Sequence, residues 1–454
     1  MRVLKAAAQR LRRPARFRNW RPIAILVLLG YVVMLFLNCL YGFYPARFSL
    51  KHQQFRLSKA MMIYCLTVAT IFCLFYVKHI WQEFFSGQID QRDAIKIYCY
   101  MNACGSLLHY LYQWSICVRV RELLNQTSIF AVINYFDVTV LSMARHMAPV
   151  FVKIFIFPLA MHVTLLLYHQ HLQQQQQHSQ LSWLTTSTTM LPIIAGSQLN
   201  NCYFCSIVIS KAIFKQINVL LAEMLTEVNR LQTPAEMSLH KPFYRMQRFC
   251  DLADRLDELA GKYALVNDYC QGLLDFGCFS MVTTMSINLC NTTLGCYVQY
   301  QAFVDTIMLE KPYDIDQAVA HFVFLVLPFL EILLLANETQ LLIDEARKAG
   351  YLLQRMNLEH ADVRFKQEVD LFWLEVRTVE FKLMPMGFLE LDGSIVNKMY
   401  STVAGFLLFL IQNDLTLLYL QTDIAIPSRI GQKYITYIEL LMDSFSSQVP
   451  DTHK

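Results

Sequence analysis

Apolar residues along this chain gather into long runs at about 23–44, 59–79, 95–117, 148–168, 190–212, 272–298, 317–337 and 399–420. Each is close to the roughly 20 residues that a helix needs to cross a bilayer. Three further segments alternate apolar and charged positions at helical spacing. In 213–231, Ile217, Leu220, Leu221, Met224, Leu225 and Val228 recur at i, i+3 and i+4, with Glu223, Glu227 and Arg230 between them. In 244–270, Met246, Phe249, Leu252, Leu256, Leu259 and Tyr263 do the same among Asp251, Asp254, Arg255, Asp257, Glu258 and Lys262. A third such run covers 361–383, with Val363, Val369, Leu371, Trp373, Leu374 and Val376. The pattern predicts spanning helices that continue into water and pack there on each other or on neighbouring subunits. No internal repeat is visible, and Gln173 to Gln177 is the only low-complexity tract.

Charge decides which runs cross. The first 21 residues hold Arg2, Lys5, Arg10, Arg12, Arg13, Arg16, Arg18 and Arg21 with no acid, which places the N-terminus in the cytoplasm. If 23–44 crossed, the basic loop with Arg47, Lys51, Arg56 and Lys59 would lie outside, as would the long charged segments 213–270 and 338–398. A 23–44 segment that is re-entrant or interfacial, bent at Gly30, Gly42 and Pro45, avoids this. The acidic loop with Glu83, Asp90 and Asp93 then faces out, and the loop with Arg119, Arg121 and Arg145 faces in.

The expected fold class is an all-α polytopic membrane protein. It has seven transmembrane helices, a cytoplasmic N-terminus, an extracellular C-terminus and long helical cytoplasmic extensions. Residues 1–58 form the basic N-terminus with the 23–44 segment. Helices 1–4 lie in 59–212, cytoplasmic extensions in 213–271, helices 5–6 in 272–337 and anchor helices in 338–398. A last helix at 399–420 precedes a tail at 421–454. This orientation is opposite to a G-protein-coupled receptor. The chain also lacks that class's Asp/Glu-Arg-Tyr triplet closing span three and its Asn-Pro-x-x-Tyr in the last span.

Composition agrees. The 454 residues are 55% hydrophobic and only 16% charged, against about 25% charged in soluble proteins. The first apolar run is too long for a cleavable signal and has no small-residue cleavage site. Most of the 13 cysteines fall in apolar runs and read as small buried hydrophobes rather than disulfide partners. Cys202 and Cys205 form a CxxC with no second pair or histidine partner. His169, His171 and His178 flank the glutamine tract and read as a solvated loop, weak metal binding being the alternative. There is no HExxH, no P-loop, no GxGxxG after a strand and no catalytic triad, so neither catalysis, a cofactor, a metal nor nucleic acid is expected. The Asn-x-Ser/Thr triplets at Asn125, Asn291 and Asn337 fall at the inner edge or within a span, where glycosylation is not expected.

Two sets of residues are candidate sites. The outer halves of the spans carry Tyr98, Tyr100, His162, Tyr168, Asn288, Tyr297 and His321. Singly these read as packing or interface aromatics; together they suit an outward cleft for a small molecule. The last run carries Gln412, followed by Asn413 and Asp414. An amide in a membrane helix is costly unless it meets a partner or water, so Gln412 lines a pore or bonds one neighbouring helix. Lys153, Asp275 and Glu331 share one depth near the inner ends of their spans. Snorkelling or mutual pairing explains them, a gating role being the alternative.

The stretch from Phe365 to Asn413 resembles the C-terminal signature of insect gustatory receptors. That signature is a cytoplasmic amphipathic helix, Gly-hydrophobic-hydrophobic-x-hydrophobic-Asp, then a last span with Thr-Tyr, five apolar residues and Gln-Phe. The turn Gly387-Phe388-Leu389-Glu390-Leu391-Asp392 fits it, and so does Gln412 after its five apolar positions. Thr becomes Gly405, Tyr becomes Phe406 and the closing Phe becomes Asn413. Weaker likeness extends to Gly42-Phe43-Tyr44-Pro45 and to Asn218-Val219-Leu220-Leu221. The resemblance implies a ligand-gated, non-selective cation channel in the plasma membrane of sensory neurons. It would be a homo- or hetero-tetramer with other gustatory receptor subunits, surrounded by membrane lipid and opened by a small-molecule tastant in the outward pocket. The pore would be lined by Gln412, Phe409 as a hydrophobic plug one turn below it, Asn413 and Phe406. Alternatives are a non-conducting receptor or co-receptor of the same family, and a transporter, which often shows a repeat symmetry absent from this sequence.

Overall fold

A computed structural model describes the protein at residues 30, 33–49, 54–86, 93–126, 140–176, 182–239, 242–308, 315–378 and 393–425. Residues 1–29, residues 379–392 with the expected Gly387–Asp392 turn, and residues 426–454 with most of the expected tail therefore lie outside the described residues.

Residues 33–40 are helical and end in a glycine cap. Phe43 N–H donates to the Asn38 carbonyl at 2.8 Å and Gly42 N–H to the Cys39 carbonyl at 3.0 Å, the paired bonds of a Schellman turn. Gly42 sits at φ +82°, and a Cβ there would come within 2.9 Å of the Cys65 carbonyl. Only glycine turns the chain at that point. The turn feeds a hairpin that the periodicity did not predict, β1 (Ala46–Ser49) against β2 (Gln54–Leu57). Arg47 lies opposite Arg56 in its register, a pairing that disfavours it. The side chain of Asn125 compensates: its Nδ2 donates to the Phe55 carbonyl, and Phe55 N–H donates to its Oδ1, both at 2.8 Å. The amide imitates a neighbouring strand.

The helices follow in order: α1 (Lys59–Ser86), α2 (Ala94–Gln126), α3 (Val140–Phe151), a π-helical turn (Val152–Ile156), α4 (Phe157–Gln176), α5 (Ser182–Leu231), α6 (Pro234–Leu239), α7 (Pro242–Met308), α8 (Ile315–Gln354), α9 (Val363–Thr378) and α10 (Ser394–Ala425). With α3, the π turn and α4 taken as one continuous rod, seven among the described residues are long, and each holds one of the seven expected spans. Among the described residues five are long and apolar enough to cross a membrane: α1, Arg145–His171, α5, α8 and Ser394–Asp414. A sixth is Pro242–Leu273 with Asp275–Thr306, bent by 45°, where Gly272 and Gly277 flank the bend. The seventh, α2, has the length, but buried Asn102, Ser106, His109 and Gln113 interrupt its apolar run.

The 50 residues of α5 and 67 of α7 correspond to rods of roughly 75 and 100 Å at 1.5 Å per residue. The hydrocarbon core is about 30 Å thick, so both helices must project far beyond it. In the projecting part α5, α7, α8 and α9 bury Phe214, Ile217, Leu221, Phe249, Leu256, Leu353, Phe365 and Phe372 in one core. Tyr263 is its hinge pin, with ring centroids 5.2 Å from Phe214 and 5.5 Å from Phe372 and its hydroxyl donating to the Ala346 carbonyl at 3.2 Å. Ile217, Leu221, Phe249, Leu256 and Tyr263 are positions that the helical spacing predicts. On α9, however, the expected Val363, Leu371 and Leu374 are exposed, and the buried face is Phe365, Val369 and Phe372, of which only Val369 is expected. By contrast α1 exposes Ile63, Leu66, Ile71 and Leu74, a surface suited to lipid. The chain divides into two compact units, residues up to Met399 and those from Tyr400 onward; in the second, the described part of α10 is a lone helix.

Candidate ligand cluster and terminal helix

Where α2, α5 and α8 begin and α4 and α7 end, Tyr98, Met161, Leu165, Met190, Ile193 and Phe324 close a buried cluster with Tyr168 half-buried against it. Polar groups are threaded through this apolar packing. The Tyr98 hydroxyl donates to Asn288 Oδ1 at 3.1 Å, and the Asn102 amide donates to the Tyr98 carbonyl at 2.9 Å. Asn291 Nδ2 donates to the Phe324 carbonyl at 2.7 Å. His321 is buried on α8, next to Ala320 of the same cluster. Tyr98, Asn288, Tyr168 and His321 are therefore brought to one region. His162 is half-buried beside Met161 on α4.

Two of the expected residues lie elsewhere. Tyr100 packs with Phe72, Tyr76 and Cys99 in a separate cluster and donates to the Glu83 carboxylate, which also pairs with Lys96 at 2.7 Å. Tyr297 is half-buried, accepts from Gln301 Nε2 at 2.8 Å and stacks on Tyr300 with centroids 6.3 Å apart. Tyr100 thus engages α1, and Tyr297 engages neighbours on its own helix.

Deeper in the bundle, the π turn carries Lys153, whose side chain is 0% exposed. π turns recur at functional positions. Here Lys153 Nζ donates to Asn201 Oδ1 at 2.6 Å and to Glu331 at 3.2 Å, and lies 5.8 Å from the Phe204 ring centroid. Pairing thus explains Lys153 and Glu331, whereas Asp275 is exposed. A second buried pair, Lys211 with Glu338, ties α5 to α8. Sequence reading passed over it because both residues sit where a span gives way to a charged extension.

The other flagged groups have ordinary partners. Cys202 and Cys205 are free thiols. His169 Nδ1 lies 2.8 Å from the Thr186 hydroxyl and His171 lies 3.2 Å from Asp316, while His178 is outside the described residues. Among the described residues no group of three or more His, Cys, Asp or Glu side chains could hold a metal ion.

On α10, Phe406 and Phe409 are 56% and 65% exposed, and Gln412 and Asn413 are exposed as well. At 100° per residue Phe406, Phe409 and Asn413 fall on one stripe, with Gln412 on its edge. A Cβ at Gly405 would meet nothing within 4 Å, so packing within the chain does not demand that glycine.

Among the described residues, long helices with exposed apolar surfaces, buried polar residues among the spans and extensions too long for a bilayer define a multi-pass helical membrane protein. The sequence matches the family described as 7tm Chemosensory receptor over residues 30–417, and the chain belongs to that family, one of receptors rather than enzymes. It is 44% identical over 423 residues to a Drosophila melanogaster protein classed as gustatory receptor 97a, covering 92% of this chain and 99% of that one. It is 36% identical over 366 residues to a second, classed as gustatory receptor 94a, covering 81% and 89%. The insect olfactory receptor OR5 of Machilis hrabei, solved in complex with eugenol, shares the fold with a TM-score of 0.55 at 11% identity, covering 85% of this chain and 99% of that one. A second structure of the same receptor gives a TM-score of 0.56 at 11% identity, covering 86% and 99%.

Proposed function

We propose that the chain is a gustatory receptor subunit that forms a ligand-gated, non-selective cation channel. The carrying observation is the exposed stripe of α10, which sets Gln412 and Asn413 beside exposed aromatic residues at the end of the apolar stretch 403–411. Amides facing hydrocarbon are costly. Four copies of α10 around an axis would turn them to water and to each other. Phe409 would then form a hydrophobic constriction that gates by dewetting, and Gly405 would let neighbouring helices approach closely. The anchor would join subunits in the cytoplasm, with the N-terminus inside and the C-terminus outside, in the plasma membrane of sensory neurons.

The ligand is a small organic tastant bound at the Tyr98, Tyr168 and His321 cluster, where an apolar wall and a few fixed polar groups meet. Eugenol in the olfactory receptor of the same fold supports a ligand of that size. Whole-cell recording of cells expressing the chain, alone and with other family subunits, tests the reading across tastant classes. A ligand-evoked cation current that Gln412→Ala alters is the expected result. Current indifferent to every substitution from Gly405 to Asn413 removes the pore assignment.

A further inference from the structure

A cleft with a volume of about 120 Å³ lies between the 33–44 segment and helices α2, α5 and α7. None of its lining residues belongs to the Tyr98 cluster or to α10. Its walls are chiefly apolar, with Met34, Leu124, Leu199 and Phe276 among them, and among the described residues the lining holds no charged side chain. Polar residues interrupt that wall, among them Asn38, Tyr44, Gln113, Ser206 and Ser280, each at least nine-tenths buried. Asn38 is fixed by its amide nitrogen, which donates to the Met34 carbonyl and to Cys202 Sγ, both at 2.8 Å. Its Oδ1, the Tyr44 hydroxyl and the Ser280 hydroxyl have no hydrogen-bond partner among the described residues.

Three orphaned polar atoms around one cleft are an unusual cost in a folded protein, because each buried unpaired group forfeits its hydration. Water would satisfy them but leave the apolar wall hydrated. An apolar molecule carrying a hydroxyl satisfies both, since a hydroxyl donates to Asn38 Oδ1 and accepts from Tyr44 or Ser280. The uncharged lining excludes an ionic headgroup.

We propose that this cleft binds an uncharged, largely apolar alcohol whose hydroxyl is held by Asn38, Tyr44 and Ser280. A membrane sterol and a water-borne terpene alcohol share that chemistry. The site is separate from the tastant cluster and requires no current through α10.

The test uses the purified full-length protein in sterol-free phosphatidylcholine nanodiscs, with clickable diazirine analogues of cholesterol and of geraniol. Mass spectrometry locates the label. Saturable labelling by at least one probe within 34–44, 113–124, 199–206 or 273–280 is expected, and which probe labels identifies the source. The matching hydrocarbon without the hydroxyl should compete about tenfold more weakly than the alcohol, as loss of one or two hydrogen bonds requires. Tyr44→Phe combined with Ser280→Ala, which removes only two hydroxyls, should cut labelling about fivefold with an unchanged gel-filtration profile. If that variant misfolds, the hydrocarbon competition on the unaltered protein decides. Labelling by neither probe at these segments, equal competition by the hydrocarbon, or full labelling of a folded double variant overturns the proposal.

Discussion

The two ends of the helical bundle are held by different physics. The anchor is an apolar interior, with Phe214, Tyr263, Phe249, Phe365 and Phe372 meeting ring to ring, and most of its charges stay at or near the surface, as in Arg255 with Glu227 at 3.2 Å. The region around Tyr98 and Lys153 instead buries Asn102, Asn201, Asn288, Asn291 and His321 among apolar neighbours. Apolar burial is non-directional and adds up over area. A buried amide or ammonium is favourable only with a particular partner in place. The anchor is therefore suited to holding helices together regardless of state, while the polar region has one satisfied arrangement that a ligand's own polar groups could re-pair.

The sharpest way to break that contrast is to cut each region at its centre. Phe365→Ala should cost about 3–5 kcal/mol through the lost burial and the cavity left behind, removing the monodisperse peak in detergent gel filtration. An unchanged melting temperature would show that the anchor core is not what holds α9. Next, Lys153→Met leaves Glu331 buried without its cation, a loss of about 3 kcal/mol, at the lower end for such pairs because Glu331 keeps 14% exposure. Adding Glu331→Met should restore surface expression. Failure of that rescue, with ligand response still lost, would assign the pair a role in gating rather than in folding.

The anchor was far more legible in the sequence than the polar region. Ile217, Leu221, Met224 and Val228 announce a buried stripe by spacing alone, and all four are buried. The resemblance at Asn218 also has a physical basis, since its amide donates to the Glu345 carbonyl and carboxylate, both at 2.7 Å. Polar pairing has no comparable period. Lys153 meets Asn201, 48 positions away, and Asn125 clasps a strand 70 positions earlier, so neither partner is visible locally. The hairpin at 46–57 was missed for the same reason: its strands of four residues are too short to show alternation, and a distant amide completes them. Tyr98 and Tyr100, two positions apart, were grouped as one site, yet on a helix such neighbours point about 200° apart, and they enter different clusters.

Within the polar region, Tyr98→Phe tests whether the buried network reads ligand. Its removal leaves Asn288 Oδ1 without that donor and should cost about 1–2 kcal/mol, with the tastant concentration for half-maximal current shifted about tenfold. Tyr297→Phe, outside the cluster, should shift it far less. Equal shifts from both substitutions would dissolve the distinction between the clustered and unclustered aromatics.

The smallest effect belongs to the anchor's few half-buried carboxylates. Burial, and then the charge of Asp268, raise the Glu375 carboxyl above the ordinary carboxylate range. A carboxyl whose folded value lies above its unfolded value binds protons more readily when folded, so its ionisation destabilises the anchor at neutral pH. The cost should fade as pH drops through the folded value. Glu375→Gln, which removes the titration, should melt slightly higher than the parent at pH 7.5 and no higher at pH 5. A difference that grows as pH falls would reverse the sign and would mean that Glu375 is stabilised as a carboxylate. In that case even the anchor would rest partly on a specific charge pairing, and the contrast between the two ends would be one of degree.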